Sequence, residues 1–101
     1  MRVVWSPRAI DRVVEIATYI AQDSPAAARE CVERLFAHVD AQLATFPFSG
    51  KPARDVDADD AREIVFESYR VFHDVRGAVE ILTVRRGREL IDADDLRSGP
   101  A

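Results

Sequence analysis

Apolar positions change their spacing along this chain, and each change marks an element. Val3, Val4 and Trp5 are consecutive β-formers that stop at Ser6-Pro7, a helix N-cap followed by proline at the first helical position. A first strand therefore hands over directly to a helix. Ile10, Val13, Ala17, Ile20 and Ala21 recur at steps of three and four with Arg8, Asp11, Arg12 and Glu15 between them, which predicts one buried stripe. Ser24-Pro25 repeats the cap-plus-proline device, and Ala28, Val32, Leu35, Val39, Leu43 and Phe46 continue at helical spacing for about six turns. The connection Gln22-Asp23-Ser24 is so short that the two helices must fold back as antiparallel neighbours.

After Pro47 the pattern shortens. Phe48-Ser49-Gly50-Lys51-Pro52 is turn chemistry, and Asp55 to Asp60 is an acidic stretch with almost nothing to bury, hence a loop. Glu63 to Phe66, Tyr69 to Val75 and Ala78 to Arg85 are rich in Val, Ile, Phe and Tyr, and the gaps Glu67-Ser68 and Arg76-Gly77 suit tight hairpin turns. Gly77 supplies the positive φ such turns favour. Ile64 and Phe66 share one face of their strand. Val79 and Ile81 oppose Leu82 and Val84, so the last strand is covered on both sides and lies at or near the centre of its sheet. The expected architecture is α+β: an N-terminal strand, then an antiparallel two-helix hairpin packed on a C-terminal antiparallel β-meander, in the order β-α-α-β-β-β. All 101 residues form one domain. The tail from about residue 89, with Leu90, Ile91 and Leu96 among acids, reads equally as a short helix or as disordered.

Composition narrows the chemistry. The formal net charge is −4, so polyanions are not attracted to the molecule as a whole, and a dedicated nucleic-acid binder is disfavoured. Cys31 is the only cysteine, which excludes an internal disulfide and fits a reducing compartment. No segment has the apolar length of a membrane span, and Met1 to Trp5 is too short for a signal peptide, so a cytoplasmic protein without membrane contact is expected. His38 and His73 lie far apart in sequence, which argues against a metal centre. Asp55-x-Asp57-x-Asp59 matches the opening of a calcium loop but has Asp60 where glycine is needed and Phe66 where a bidentate glutamate belongs. Single glycines at 50, 77, 87 and 99 build no phosphate cradle, and no cofactor is expected.

One cluster remains. Arg85, Arg86 and Arg88 adjoin in sequence, and Arg70 sits on the preceding strand, where the hairpin through Gly77 brings it alongside. Guanidinium forks would grip carboxylates or phosphates. Arginine outnumbers lysine thirteen to one, so composition alone accounts for part of this cluster.

The strand-hairpin-meander order, together with Trp5-Ser6-Pro7, Tyr69-Arg70-Val71-Phe72 and Ile81-Leu82-Thr83-Val84, resembles the RelE/ParE superfamily of small toxins from about Val3 to Arg88. The resemblance implies the toxin of a type II toxin–antitoxin system. In its RelE-like branch such toxins cut messenger RNA on the ribosome, and in its ParE-like, plasmid-stabilising branch they poison DNA gyrase. For the nuclease, the resemblance implies Arg70 as the third-strand arginine and leaves Glu63, His73 and Arg86 as a reduced catalytic set. Glu63 to Phe66 carries no lysine, and no tyrosine or histidine follows Val84. Arg62-Glu63-Ile64-Val65 is similar to the strand opening of ParE-like chains, although Arg86 stands where these often have histidine. The expectation is thus a ParE-like gyrase inhibitor that binds without catalysing, with Arg70, Arg85, Arg86 and Arg88 as its binding residues. Its implied partners are a ParD-like antitoxin and gyrase, with DNA contacted only through the antitoxin and with higher-order toxin–antitoxin oligomers allowed. An mRNA endoribonuclease and a non-toxic structural relative are the alternatives. Tyr19 and Tyr69 are expected to pack in the hairpin and the meander, and His73 to make a structural hydrogen bond.

Overall fold

A computed structural model of the chain describes residues 1–53, 61–87 and 96. Strand β1 (Val3–Trp5) leads into α1 (Pro7–Ala21), α2 (Pro25–Thr45), a two-residue β2 (Lys51–Pro52), and the strands β3 (Arg62–Phe66), β4 (Tyr69–Val75) and β5 (Val79–Arg86). Both helices start as their residues dictate. The Ser6 and Ser24 hydroxyls accept from the amides of Ala9 and Ala27, each at 3.1 Å, with Pro7 and Pro25 in the first turn.

The sheet order is β1-β5-β4-β3-β2. The meander β3-β4-β5 is antiparallel as expected, whereas β1 runs parallel to β5 with Val3 opposite Val79 and Trp5 opposite Ile81. A parallel partner is what the intervening helical hairpin makes reachable. This leaves β5 with neighbours on both sides, but Val84, expected opposite Val79 and Ile81, shares their face, because a register shift opposite Phe72 and His73 leaves Leu82 alone of these four turned to the other side. Lys51-Pro52, expected as turn only, adds an edge pairing to Arg62 and Glu63.

The main core lies between the helices and one face of the sheet. From α1 it takes Ala9, Val13 and Ile16, from α2 Cys31, Leu35, Val39 and Leu43, and from the sheet Ile64, Phe66, Val71, Val79, Ile81 and Val84. Burial pushes the Cys31 thiol up, so it behaves as a small core residue. The stripe expected on α1 is corrected here. Ala9, Val13, Ile16 and Ile20 face the sheet, while Ile10 is 39% exposed and Val14 57% exposed. Two apolar stripes lie side by side on this helix with the same spacing, and only the one aimed at β5 is buried. Phe46, expected to extend the α2 stripe, is 66% exposed because the helix ends at Thr45 and Phe46 leaves helical phase at φ −128°.

A second, smaller core forms on the other sheet face from Ala53, Ala61, Phe72, Leu82 and Leu96. Leu96 therefore anchors one point of the tail, and the rest of that tail, like the Asp55–Asp60 loop, lies outside the described residues. Among the described residues no helix is long and apolar enough to cross a membrane.

Candidate functional site

Pairing across the meander places Arg70 opposite both Val65 and Arg85, and Phe72 opposite both Glu63 and Thr83. Residues directly opposite share a face, so Glu63, Arg70 and Arg85 stand together on the side of the sheet away from the helices. Arg70 donates from Nε to Glu63 Oε2 at 2.8 Å, and its Nη2 lies 2.8 Å from the same oxygen. The other oxygen, Oε1, is 3.4 Å from Lys51 Nζ. The pair is nearly sealed, with side-chain exposures of 13% for Arg70 and 5% for Glu63. Arg70 also stacks over Phe72, 4.9 Å from the ring centroid. With Arg85 alongside, this face carries Lys51, Arg70 and Arg85 around Glu63, and further along the same face Asp74 stands opposite Glu80, so the arginines sit among acids and not in a purely cationic patch.

Arg86 goes elsewhere. Alternation along β5 turns it to the opposite side from Arg85, where its guanidinium lies over the Tyr19 ring at 4.5 Å. Tyr19, expected to be packed, is 57% exposed and presents this stack to solvent beside an open groove lined by Ile20, Ser68, Tyr69 and Gly87. Adjacent arginines in a strand cannot form one patch on one face, which is why the sequence cluster divides. Arg88 lies outside the described residues. Tyr19 was legible in principle, since it falls outside the Ala9-Val13-Ile16-Ile20 stripe.

His73 is fully buried on the helix-bearing face, with Nε2 3.1 Å from the Pro47 carbonyl oxygen. Arg62, opposite His73, donates to the carbonyls of Ser49 and Gly50 at 3.5 and 3.0 Å. Together they pin the turn after α2 to the sheet. With Nε2–H donating to Pro47, His73 Nδ1 is a buried nitrogen with no partner among the described residues. Burial, with the neighbouring Arg62 charge, lowers the His73 pKa below its ordinary value. In the window between that lowered value and the usual 6.5 the unfolded chain binds the extra proton, so stability falls as pH drops below about 6.5. Urea unfolding from pH 7.5 to 5.5 should show this loss in the native chain, and His73→Asn should be less stable at pH 7 but lack that part of the slope.

Of the four groups the nucleolytic set requires, the structure joins Glu63 and Arg70 only. Glu63 is engaged by two cations, His73 is under the turn on the other side of the sheet, and Arg86 is stacked on Tyr19. The structure thus assembles a buried Glu63–Arg70 pair beside Arg85 on one side of the sheet and an exposed Arg86–Tyr19 stack on the other.

An α+β domain with this element order and sheet topology has the RelE/ParE scaffold. Residues 3–91 match the model of the ParE toxin of type II toxin–antitoxin systems, parDE, and the chain belongs to that family. A relative from Sinorhizobium fredii (strain NBRC 101917 / NGR234), named "Putative toxin Y4kP", is 39% identical over 90 residues, covering 87% of this chain and 90% of that protein. A solved structure described as the chromosomal ParDE TA system from P. aeruginosa shares the fold, with a TM-score of 0.71 at 21% identity over 85% of this chain and 95% of that one.

Proposed function

We propose that this chain is the toxin of a type II toxin–antitoxin pair that inhibits DNA gyrase by binding it, and that a ParD-like antitoxin holds it inactive. The observation that carries the reading is the separation of Glu63 and Arg70 from His73 and Arg86, since 2′-hydroxyl cleavage needs a base and an acid converging on one phosphate. A docking inhibitor needs neither. Family membership and the ParDE structural neighbour support the antitoxin as partner, with DNA reached only through it and larger toxin–antitoxin assemblies as a further consequence.

Guanidinium groups at Arg85 and Arg86 suit carboxylates of an acidic or mixed antitoxin segment that wraps the end of β5 and meets them on opposite sides of the sheet. Arg85→Glu and Arg86→Glu should each weaken the toxin–antitoxin complex about tenfold, roughly 1.4 kcal/mol, and flatten its salt dependence. Calorimetric titration at two salt concentrations checks this, and unchanged affinity for both variants removes these arginines from the interface.

Expression of the chain alone in bacteria tests the whole reading. Growth should stop with plasmid DNA relaxed or cleaved while protein synthesis continues, and co-expression of the antitoxin should restore growth. An immediate translation arrest with severed transcripts would instead support the nuclease, and harmless expression the non-toxic relative.

A further inference from the structure

The outer face of the helical hairpin carries a second apolar stripe that the fold covers only in part, Ala28 being buried and Val32 packed against the main core. Val14 is 57% exposed, and one turn on, Ala17 and Ala21 of α1 meet Ala28 and Val32 of α2 along a groove of about 480 Å³. Its rim is charged. Arg29 and Glu33 flank the groove, both exposed, and neither makes a hydrogen bond or ion pair with any described residue. They stand one turn apart on the same side of α2, with opposite signs.

That arrangement is its own complement. If two hairpins pack with their α2 helices antiparallel about a two-fold axis at the level of residue 31, Arg29 of each copy faces Glu33 of the other, and both charges are paired by one symmetric contact. The small side chains of Ala17 and Ala21 let the backbones approach, and the exposed Val14 supplies the apolar centre. A different partner would have to carry the matching charge pair at the same spacing, whereas a second copy carries it by construction. The helices are about 22 and 32 Å long, so the hairpin face offers on the order of 600 Å², just below the roughly 800 Å² per partner of a standard interface. We infer that the antitoxin-free chain forms a two-fold homodimer through this face, held by reciprocal Arg29–Glu33 pairs, with micromolar affinity. The inference is independent of what the toxin targets.

Sedimentation of the full chain at about 5 to 200 μM tests it, with circular dichroism to verify the fold of each variant. The wild type should shift from its 11.3 kDa monomer to twice that mass across this range. Arg29→Glu and Glu33→Arg should each weaken self-association about tenfold or more, because each sets like charges against one another. An equimolar mixture of the two single variants should recover dimers, since each then meets its complement, and the double variant should dimerise as the wild type does. A wild type that stays monomeric at 200 μM, single variants that associate normally, or a mixture that fails to recover would each overturn the inference. Loss of antitoxin affinity in the single variants without any self-association would assign the groove to the antitoxin and overturn it too.

Discussion

Gly50→Ala should lower stability by about 3 kcal/mol or more, with a melting temperature reduced by roughly 12 °C or more for a domain of this size. Gly50 has φ +86°, a region that side chains rarely adopt, and an added Cβ would overlap the backbone carbonyl of Glu63 and crowd Ile64 Cγ2. A backbone carbonyl in a paired strand cannot rotate aside as a flexible side chain does. The turn would have to lift, taking with it the β2 pairing, the Lys51–Glu63 contact and the His73–Pro47 hydrogen bond. Gly77 is the internal control. Its φ is +77°, almost the same, but an added Cβ there meets nothing within 4 Å. Gly77→Ala should therefore show the conformational penalty alone, about 1 kcal/mol. Thermal unfolding of the two variants side by side separates strain from collision.

The second large effect concerns the buried ion pair. Arg70→Ala removes both contacts to Glu63 Oε2 and leaves a carboxylate whose side chain is 5% exposed with, among the described residues, the longer Lys51 contact alone. Breaking a buried pair from one side costs about 3 to 5 kcal/mol, because the remaining charge stays desolvated without compensation. Some of the Arg70 loss is also packing against Phe72. Glu63→Leu combined with Arg70→Met should restore much of the stability, since apolar groups of similar volume need no such pairing. Urea unfolding of Glu63→Leu, Arg70→Met and the variant carrying both, read as a double-mutant cycle, should give a coupling of about 2 kcal/mol between the positions. Additive losses would mean that the two side chains act independently.

The difference between these sites explains what the sequence could and could not disclose. Serine-proline pairs marked both helix starts, and the β-branched runs marked the meander, because these are local signals that tertiary packing reinforces. The parallel placement of β1 beside β5 is non-local and left no trace in Val3-Val4-Trp5 beyond strand propensity. On α1, two apolar stripes of equal spacing compete, and only the position of β5 decides between Ala9-Val13-Ile16 and the line through Ile10 and Val14. The binding residues show the same division. Arg70 and Arg85 were legible as neighbours through the Gly77 hairpin. Their separation from Arg86 follows from strand alternation. That Glu63 holds Arg70 depends on a diagonal contact between strands, and that Tyr19 supports Arg86 depends on how α1 lies against the end of β5. Neither distance is encoded by spacing along the chain.

Docking in place of catalysis is the proposed basis of toxicity. The most direct test is a titration of purified gyrase with the antitoxin-free chain, following supercoiling of relaxed plasmid, with ribosome-dependent cleavage of a defined messenger RNA measured in parallel. Supercoiling should be lost as the chain approaches equimolar with gyrase, Arg85→Glu should move this loss to higher concentration, and the message should stay intact. Undiminished supercoiling together with transcript cleavage that Glu63→Gln or His73→Asn abolishes would contradict docking as that basis.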